Sequence, residues 1–372
     1  MRNVFVSLCL RGPWAIGIAL LLVGMLGAAR AQDVPAVQAA APERREALRA
    51  TIEAAKREGV VSYWDVVIQP ETNDALVTAF RKYYGLPNSF AVRYTLSVTT
   101  NLITRVEQEV GAGNVTIDVA SIASPPWING LIAAGHVMKY ASPEYHAFAT
   151  AFEAGLGKPD YFAFNGAYTF IPMWSTDHLG DFKGKSYRDV IGALPPGRMN
   201  FNDSTKSATA LLTYIGLRSV LGIEFFRDLA KMKPLFIVRS EAMAERLVSG
   251  EDLMSFGGMP TRAYQYNERG AKLKLMFPEE GLVLLGQGSF ILAKAPHPNA
   301  AKLWLDFTLS ETGQTILAQR EALFSGRSGL TPPLPAYAPP IDKLKLIKMD
   351  WNAITTEDLN KAKAEWLSLF NP

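Results

Sequence analysis

The sequence predicts an α/β protein of two lobes, each with a mainly parallel sheet flanked by helices. Strand-like and helix-like segments alternate in two separate stretches, near residues 60–130 and 197–260. Such alternation implies parallel strands joined by crossover helices. Two extended apolar segments, Ala167–Trp174 and Gly281–Lys294, follow the two stretches. We therefore expect these segments to be strands that cross between the lobes.

The first stretch follows an amphipathic helix predicted from Glu43 to Glu58. Its strands are rich in Val, Tyr and Trp, and its helices carry apolar residues at helical spacing and end at glycine. In chain order the predicted elements are Val60–Trp64, Glu71–Tyr84, Phe90–Thr95, Thr99–Val110 and Thr116–Ile122. They form the order strand, helix, strand, helix, strand.

The second stretch repeats this order. Its predicted elements are Gly197–Asp203, Lys206–Leu221, Pro234–Ser240, Glu241–Val248 and Asp252–Phe256. One long helix is expected after the second crossing segment, from Pro298 to Gln319.

The N-terminus has the pattern of a secretory signal peptide over residues 1–31. Arg2 and Arg11 precede an uncharged apolar run from Trp14 to Ala29, and small residues follow at Ala29–Ala31. The alternative is an uncleaved membrane anchor, but the run is shorter than the ~20 residues that a span needs. Residues 32–42, rich in Ala, Pro and Gln, are expected to be a disordered leader.

Charge and cysteine content exclude several protein classes. The formal charge of +3 comes from Arg2, Arg11 and Arg30, so the remaining 38 − 3 = 35 basic residues balance the 35 acidic ones. A neutral chain argues against a nucleic-acid partner. Cys9, the one cysteine, lies in the signal segment, so disulfides and thiolate metal sites are excluded afterwards. The remaining length of about 340 residues fits two domains.

Polar residues stand at two predicted helix starts, one in each lobe. They are Thr99, Thr100 and Asn101 in the first lobe, and Ser204, Thr205, Lys206 and Ser207 in the second. Helix starts offer unpaired N–H groups and a partial positive charge. Each residue could serve only as a helix cap, but the pair of clusters predicts a clamp for an anion.

Aromatic residues stand at the ends of predicted strands and in the loops that follow. Trp64 ends the first strand, Ser124 and Trp127 follow the third, and Tyr168 and Trp174 bracket the first crossing. These aromatics could instead cover the core. With the polar clusters, however, we expect Trp64, Ser124, Trp127 and Tyr168 to line a small-molecule site.

A series of segments in this order resembles the periplasmic solute-binding proteins of ABC importers, in the branch with ferric-iron, phosphonate, thiamine and sugar-phosphate binders. The segments are "VVSYW…ETNDALVTAFRKYYG", "IDVASIAS", "PGRMNFNDSTKSATALL", "RLVSGEDLMSFGG", "FPEEGLVLLGQGSFILAKAPHPNAAKLWLDFTLSETGQTIL" and "MDWNAITTEDLNKAKAEWLSLF". The resemblance implies the two-lobed periplasmic binding protein fold. Residues 43–166 would begin the first lobe, 167–285 would form the second lobe with the crossing strands, and 286–372 would hold the returning part of the first lobe and the C-terminal helices.

The resemblance also implies a function. The protein would capture a small anionic organic solute between its lobes and deliver it to an ABC permease in the inner membrane. We expect a periplasmic monomer without catalytic residues, cofactor or bound metal. A secreted enzyme on the same scaffold is the alternative from another class.

A ferric-iron binder is the alternative within the family. Ferric-iron members carry an adjacent tyrosine pair after the last strand of the second lobe, where this chain reads "GGMPTRAYQY". Tyr264 and Tyr266 are not adjacent, and Arg262 precedes them. Iron(III) prefers hard anionic oxygen ligands, whereas arginine favours a carboxylate or phosphate. We therefore expect Met259, Arg262 and Tyr264 to lie in a loop that touches an organic ligand.

Overall fold

The computed structural model describes residues 34–153, 155–351 and 353–370. The predicted signal peptide, residues 1–31, lies outside this range. Within it, no single helix has both the length and the apolar composition needed to cross a membrane. One pair of helices, Ala208–Leu221 and Ile223–Lys231, meets the test jointly but is bent by 113°.

Strands and helices follow one another along most of the chain. The strands are β1 Val60–Asp65, β2 Ala91–Leu96, β3 Val119–Ile122, β4 Ala163–Tyr168, β5 Ile171–Ser175, β6 Met199–Asn202, β7 Leu235–Ile237, β8 Met254–Gly258, β9 Leu273–Leu275 and β10 Leu285–Ile291. The helices are α1 Pro35–Ala39, α2 Arg45–Glu58, α3 Pro70–Tyr84, α4 Thr99–Ala112, α5 Pro125–Ala133, α6 Ala149–Glu153, α7 Thr176–Leu179, α8 Tyr187–Val190, α9 Ala208–Leu221, α10 Ile223–Lys231, α11 Ser240–Ser249, α12 Pro260–Asn267, α13 Pro298–Leu309, α14 Glu311–Glu321 and α15 Thr356–Phe370. Short 3-10 helices occupy Pro42–Arg44, Pro143–Phe148 and Ile341–Lys343.

Each lobe contains one five-stranded sheet. The first sheet has the order β2-β1-β3-β10-β4, and the second has the order β7-β6-β8-β5-β9. In the first, β10 is antiparallel to both of its neighbours, and in the second β5 is antiparallel to both of its neighbours; the other pairs are parallel. Four strands of each sheet therefore point the same way. The predicted two-lobed α/β fold with mainly parallel sheets is confirmed.

The lobes are joined where the crossing segments were predicted. The first segment is two strands rather than one, because β4 belongs to the first sheet and β5 to the second, with Thr169 and Phe170 between them. The chain returns between β9 and β10. Both linking residues are buried, so the connection runs through the interior of the protein.

A third connection was not predicted. Phe324 exchanges backbone hydrogen bonds with Ala167 of the first lobe, and the chain then runs to α15. Helix α15 packs on α9 and α10 of the second lobe. Its Trp366 is 2% exposed and lies 5.0 Å from the ring of Phe201 and 5.2 Å from that of Tyr214. The last part of residues 286–372 is therefore anchored on the second lobe.

Two local predictions are corrected. The expected disordered leader, residues 32–42, contains helix α1 in its described part, and Ala36 and Val37 are buried against the first lobe because the helix packs on α3. The expected long helix from Pro298 to Gln319 is broken at Ser310. The ψ of Ser310 is 162°, and its hydroxyl accepts a hydrogen bond from the N–H of Gly313 at 3.2 Å, which starts a new helix.

Candidate functional site

A cavity of about 440 Å³ lies between the two lobes. Its walls come from the residues that end or follow β1, β2, β4, β6, β7 and β8, six strands whose carboxyl ends meet at this point. This is the edge at which open α/β sheets bind ligands. The lining residues are Val66, Val67, Leu96, Ser97, Val98, Thr99, Thr100, Asn101, Tyr168, Phe170, Asn202, Lys206, Ser207, Thr209, Val238, Arg239, Ser240, Glu241, Met259 and Arg262.

The first lobe presents the start of α4 to the cavity. Val98 is the N-cap residue, and no side chain caps the helix. Thr99, Thr100 and Asn101 form the first turn, as predicted, and all three line the cavity. An uncapped helix start leaves backbone N–H groups and the positive end of the helix dipole available to an anion.

The second lobe differs from the prediction. Ser207 caps α9 itself, since its hydroxyl accepts a hydrogen bond from the N–H of Ala210 at 3.3 Å. The backbone N–H of Thr205 donates to Asp203 at 2.9 Å, and the ammonium of Lys206 lies 3.4 Å from the same carboxylate. The polar groups of this turn are therefore largely satisfied within the turn.

In the second lobe, one uncapped helix start at the cavity is that of α11. Its N-cap residue is Arg239, and no side chain caps it. Arg239, Ser240 and Glu241 all line the cavity. The sequence could have indicated this site, because two residues separate β7 from α11 just as two residues separate β2 from α4.

Arg262 is buried at 4% exposure and is already paired. Its guanidinium lies 2.8 Å from the carboxylate of Glu241 and donates to Ser240 Oγ at 3.0 Å and to Gln265 Oε1 at 2.6 Å. The predicted loop at Met259–Tyr264 is instead the start of helix α12. Pro260 at the first helical position has the fixed φ that a helix needs, so β8 passes almost directly into the helix.

The two glycines that end β8 are required by close packing. A Cβ at Gly257 would lie 1.7 Å from Asn202 Oδ1, and a Cβ at Gly258 would lie 2.3 Å from the side chain of Met173. Asn202 lines the cavity, and its amide oxygen has no hydrogen-bond partner among the described residues. This oxygen is buried against Gly257.

Two hydrogen bonds cross between the lobes beside the cavity. The hydroxyl of Thr100 donates to the backbone oxygen of Lys206 at 3.0 Å. Gln265 of α12 donates to Glu321 of α14 at 2.8 Å, and Glu321 also accepts the N–H of Gln69 at 2.8 Å. Burial raises the pKa of Glu321 to about 7. These hydrogen bonds connect the lobes beside the cavity.

The sequence matches a known protein family. A family model described as bacterial extracellular solute-binding protein matches residues 115–354, more than half of the chain. The chain belongs to this family. Membership of this solute-binding family implies a periplasmic or extracellular location and a role in transport. Solute-binding proteins of ABC importers deliver their ligand to a membrane permease.

Three solved structures of binding proteins have a similar fold. The periplasmic binding protein P5PA has a TM-score of 0.69 at 18% identity, over 84% of this chain and 100% of its own. AfuA from Actinobacillus pleuropneumoniae, with fructose-6-phosphate bound, has a TM-score of 0.70 at 18% identity, over 83% and 98%. Iron-bound HitA from Pseudomonas aeruginosa has a TM-score of 0.63 at 19% identity, over 84% and 98%. These likenesses show the fold alone. A search of curated protein sequences gave no match.

The structure of this solute-binding protein brings eight of the predicted site residues to the cavity. They are Thr99, Thr100, Asn101, Tyr168, Lys206, Ser207, Met259 and Arg262. Six others lie outside the lining, namely Trp64, Ser124, Trp127, Ser204, Thr205 and Tyr264. The prediction did not include Val66, Val67, Leu96, Ser97, Val98, Phe170, Asn202, Thr209, Val238, Arg239, Ser240 and Glu241.

The misplaced aromatic residues have structural contacts. Trp64 packs against an apolar cluster behind the first sheet. Trp127 packs on Phe290 and donates its ring N–H to Glu107 at 3.0 Å. Tyr264 packs on Tyr337 at a ring distance of 5.4 Å. These contacts correspond to the alternative that strand-end aromatics cover the core.

The tyrosines of α12 lie outside the cavity. Neither Tyr264 nor Tyr266 lines the cavity, and the hydroxyl of Tyr266 donates to Glu245 at 3.0 Å. Burial and the bond to Glu245 raise the pKa of Tyr266 to about 12. Among the described residues, no group of three His, Cys, Asp or Glu side chains could hold a metal ion.

Proposed function

We propose that the protein is the periplasmic receptor of an ABC importer and captures a small anionic organic solute in the interlobe cavity. The charge of the lining carries this proposal. Lys206, Arg239 and Arg262 oppose the single carboxylate of Glu241 among the described lining residues. The uncapped starts of α4 and α11 add partial positive charge on both sides. An anion between the lobes would lie within the cavity that these groups line.

The remaining parts of the proposal follow from the same role. The signal peptide over residues 1–31 would be cleaved on export, and the receptor would act as a monomer that presents its loaded form to the permease. The solute bound to AfuA carries a phosphate, which supports an anionic cargo. HitA binds iron, but the described lining of this cavity offers one anionic oxygen group, the carboxylate of Glu241, beside three cationic side chains.

A thermal-stability screen tests the proposal. Carboxylates, phosphonates, phosphorylated metabolites and iron(III) citrate are added singly to protein freed of ligand by unfolding and refolding. A ligand at 100 times its dissociation constant adds about 2.7 kcal/mol to the stability of the folded state. We expect stabilisation by organic anions. Stabilisation by iron(III) alone would contradict the proposal, and turnover of a stabilising compound would favour an enzyme.

The chain offers a matched pair of lysines for the follow-up. Lys206 is 71% exposed and pairs with Asp203, and Lys231 is 76% exposed and pairs with Asp228, both at a spacing of three residues. Lys206→Met should weaken binding of the anion about fivefold, since an exposed charge contributes up to about 1 kcal/mol. Lys231→Met should leave the affinity unchanged, because Lys231 does not line the cavity. Equal affinities for the two variants would show that the anion does not contact Lys206.

A further inference from the structure

Apolar side chains are left exposed at the mouth of the cavity. Large hydrophobic residues that are exposed in the described part of the chain are Leu96, Val98, Val220, Leu235, Val238, Val248 and Leu367. Three of them, Leu96, Val98 and Val238, line the interlobe cavity. They are 37%, 42% and 38% exposed. A ligand or a rearrangement that covered them would remove apolar surface from water.

The three residues occupy equivalent places in the two lobes. Leu96 ends β2, an edge strand of the first sheet, and Val98 lies two residues later. Val238 directly follows β7, an edge strand of the second sheet. Both turns lead into an uncapped helix, α4 or α11. Each lobe thus presents an apolar side chain next to a helix start.

Polar and apolar groups are neighbours in both turns. Val98 precedes Thr99, and Val238 precedes Arg239, whose side chain is 71% exposed. Deeper in the cavity, Val67, Phe170 and Met259 continue the apolar lining. A polyhydroxylated solute would find no hydrogen-bond partner on the side chains of these apolar lining residues. A solute with an apolar body beside its charge would match both kinds of group.

We propose that the solute is an amphiphilic organic anion, with its charged head at the starts of α4 and α11 and an aliphatic or aromatic body against Leu96, Val98 and Val238. This inference rests on the proposed capture of an organic anion and names the class of that anion. Burial of one ligand methylene on such a surface raises the affinity about fourfold. Affinity should therefore increase with the length of the apolar body until the cavity is filled.

Titration calorimetry with linear carboxylates tests the proposal. Acetate, butyrate, hexanoate and octanoate are compared with benzoate, inorganic phosphate and fructose-6-phosphate on ligand-free protein. We expect affinity to rise about fourfold for each methylene that becomes buried. We also expect hexanoate or benzoate to bind more tightly than fructose-6-phosphate. A flat series, with phosphate or fructose-6-phosphate bound more tightly, would overturn the amphiphilic class and leave organic-anion capture intact.

Valine-to-alanine variants locate the apolar contact. Val98→Ala and Val238→Ala should each weaken octanoate about fourfold to tenfold and leave acetate unchanged, because only the body of the longer ligand meets these side chains. Val220→Ala and Val248→Ala are matched controls, since these valines are 47% and 40% exposed and do not line the cavity. Alanine is used because a hydroxyl at position 98 would cap α4.

Two other outcomes would contradict the proposal. If octanoate binds tightly but all four variants behave alike, the apolar body lies elsewhere and the proposal is wrong. The apolar cavity of about 490 Å³ beside Leu330–Pro340 would then be the place to examine. If no organic anion binds at any length, the proposed function and this inference both fail.

Discussion

Replacing Glu241 with glutamine tests the sign of the charge on the solute. The described lining carries Lys206, Arg239 and Arg262 against Glu241, so its formal charge changes from 3 − 1 = +2 to +3. One unit charge at about 8 Å from the ligand, in an effective dielectric of about 40, contributes about 1 kcal/mol. Glu241→Gln should therefore bind an organic anion about fivefold more tightly.

The same substitution should destabilise the fold. The Glu241 carboxylate lies 2.8 Å from the buried Arg262 guanidinium, whose other partners, Ser240 and Gln265, are neutral. A hydrogen bond between charged groups contributes about 1.5–3 kcal/mol, and the 29% exposure of Glu241 reduces this value. We expect a loss of about 1–2 kcal/mol in unfolding free energy. Affinity and stability should thus change in opposite directions.

The assay pairs calorimetry of the strongest anion in the screen with thermal unfolding of the ligand-free protein. Glu245→Gln is the control, because Glu245 lies one turn further along α11, binds the hydroxyl of Tyr266 and does not line the cavity. The gain in affinity should shrink between about 0.05 and about 0.5 M salt as screening increases. Weaker anion binding by Glu241→Gln would refute the reasoning, since Glu241 would then hold a donor or cationic group of the solute.

Three further predictions concern stability and lobe closure. Burial raises the pKa of Asp306 from 3.8 to about 7. Between about pH 4 and 7 the folded state therefore keeps a proton that the unfolded state loses, so the unfolding free energy falls as pH rises through this window. Asp306→Asn should flatten this pH dependence in thermal unfolding, whereas the control Asp342→Asn, at an exposed position, should not. Trp366→Ala should cost about 3–5 kcal/mol by leaving a cavity under α15, and an unchanged melting temperature would show that this helix adds nothing to stability. Thr100→Val removes the hydrogen bond to the Lys206 backbone oxygen, which contributes about 1 kcal/mol. The lobes of the ligand-free variant should then separate more often, so solution scattering should show a larger radius of gyration. The same radius for variant and wild type would show that this hydrogen bond does not hold the lobes together.

Much of the fold could be predicted because its signals are local. The helix that closes at Gly85 and the strand Val60–Trp64 were expected within one residue of their observed ends, since apolar periodicity and terminal glycines identify them. The break at Ser310 was missed because the apolar pattern continues through it. Only the backbone turn and the capping hydroxyl reveal it.

The site was harder to predict than the fold. Thr99–Asn101 were found because a helix start after a strand end is visible in the sequence. The second-lobe cluster at Ser204–Ser207 was assigned by the same reasoning, but the hydroxyl of Ser207 caps α9 and Asp203 binds the turn. Whether a polar group is satisfied by its own turn or left for a ligand depends on side-chain geometry, which the sequence does not encode locally.

The apolar part of the lining shows the same limit. Val98 and Val238 read as ordinary apolar residues at strand ends, which are buried more often than exposed. Their exposure follows from their places on edge strands that face the cavity. Such a position is a property of the assembled sheets rather than of any short segment.

The two ends of the described chain are anchored in different lobes. Helix α1 packs against α3 of the first lobe, while α15 packs against α9 and α10 of the second. Any rotation of one lobe against the other therefore changes the distance between the two ends of the chain. A donor and an acceptor fluorophore attached before α1 and after α15 would convert such a rotation into an optical signal. The receptor thus has the layout of a genetically encodable sensor without rearrangement of its chain.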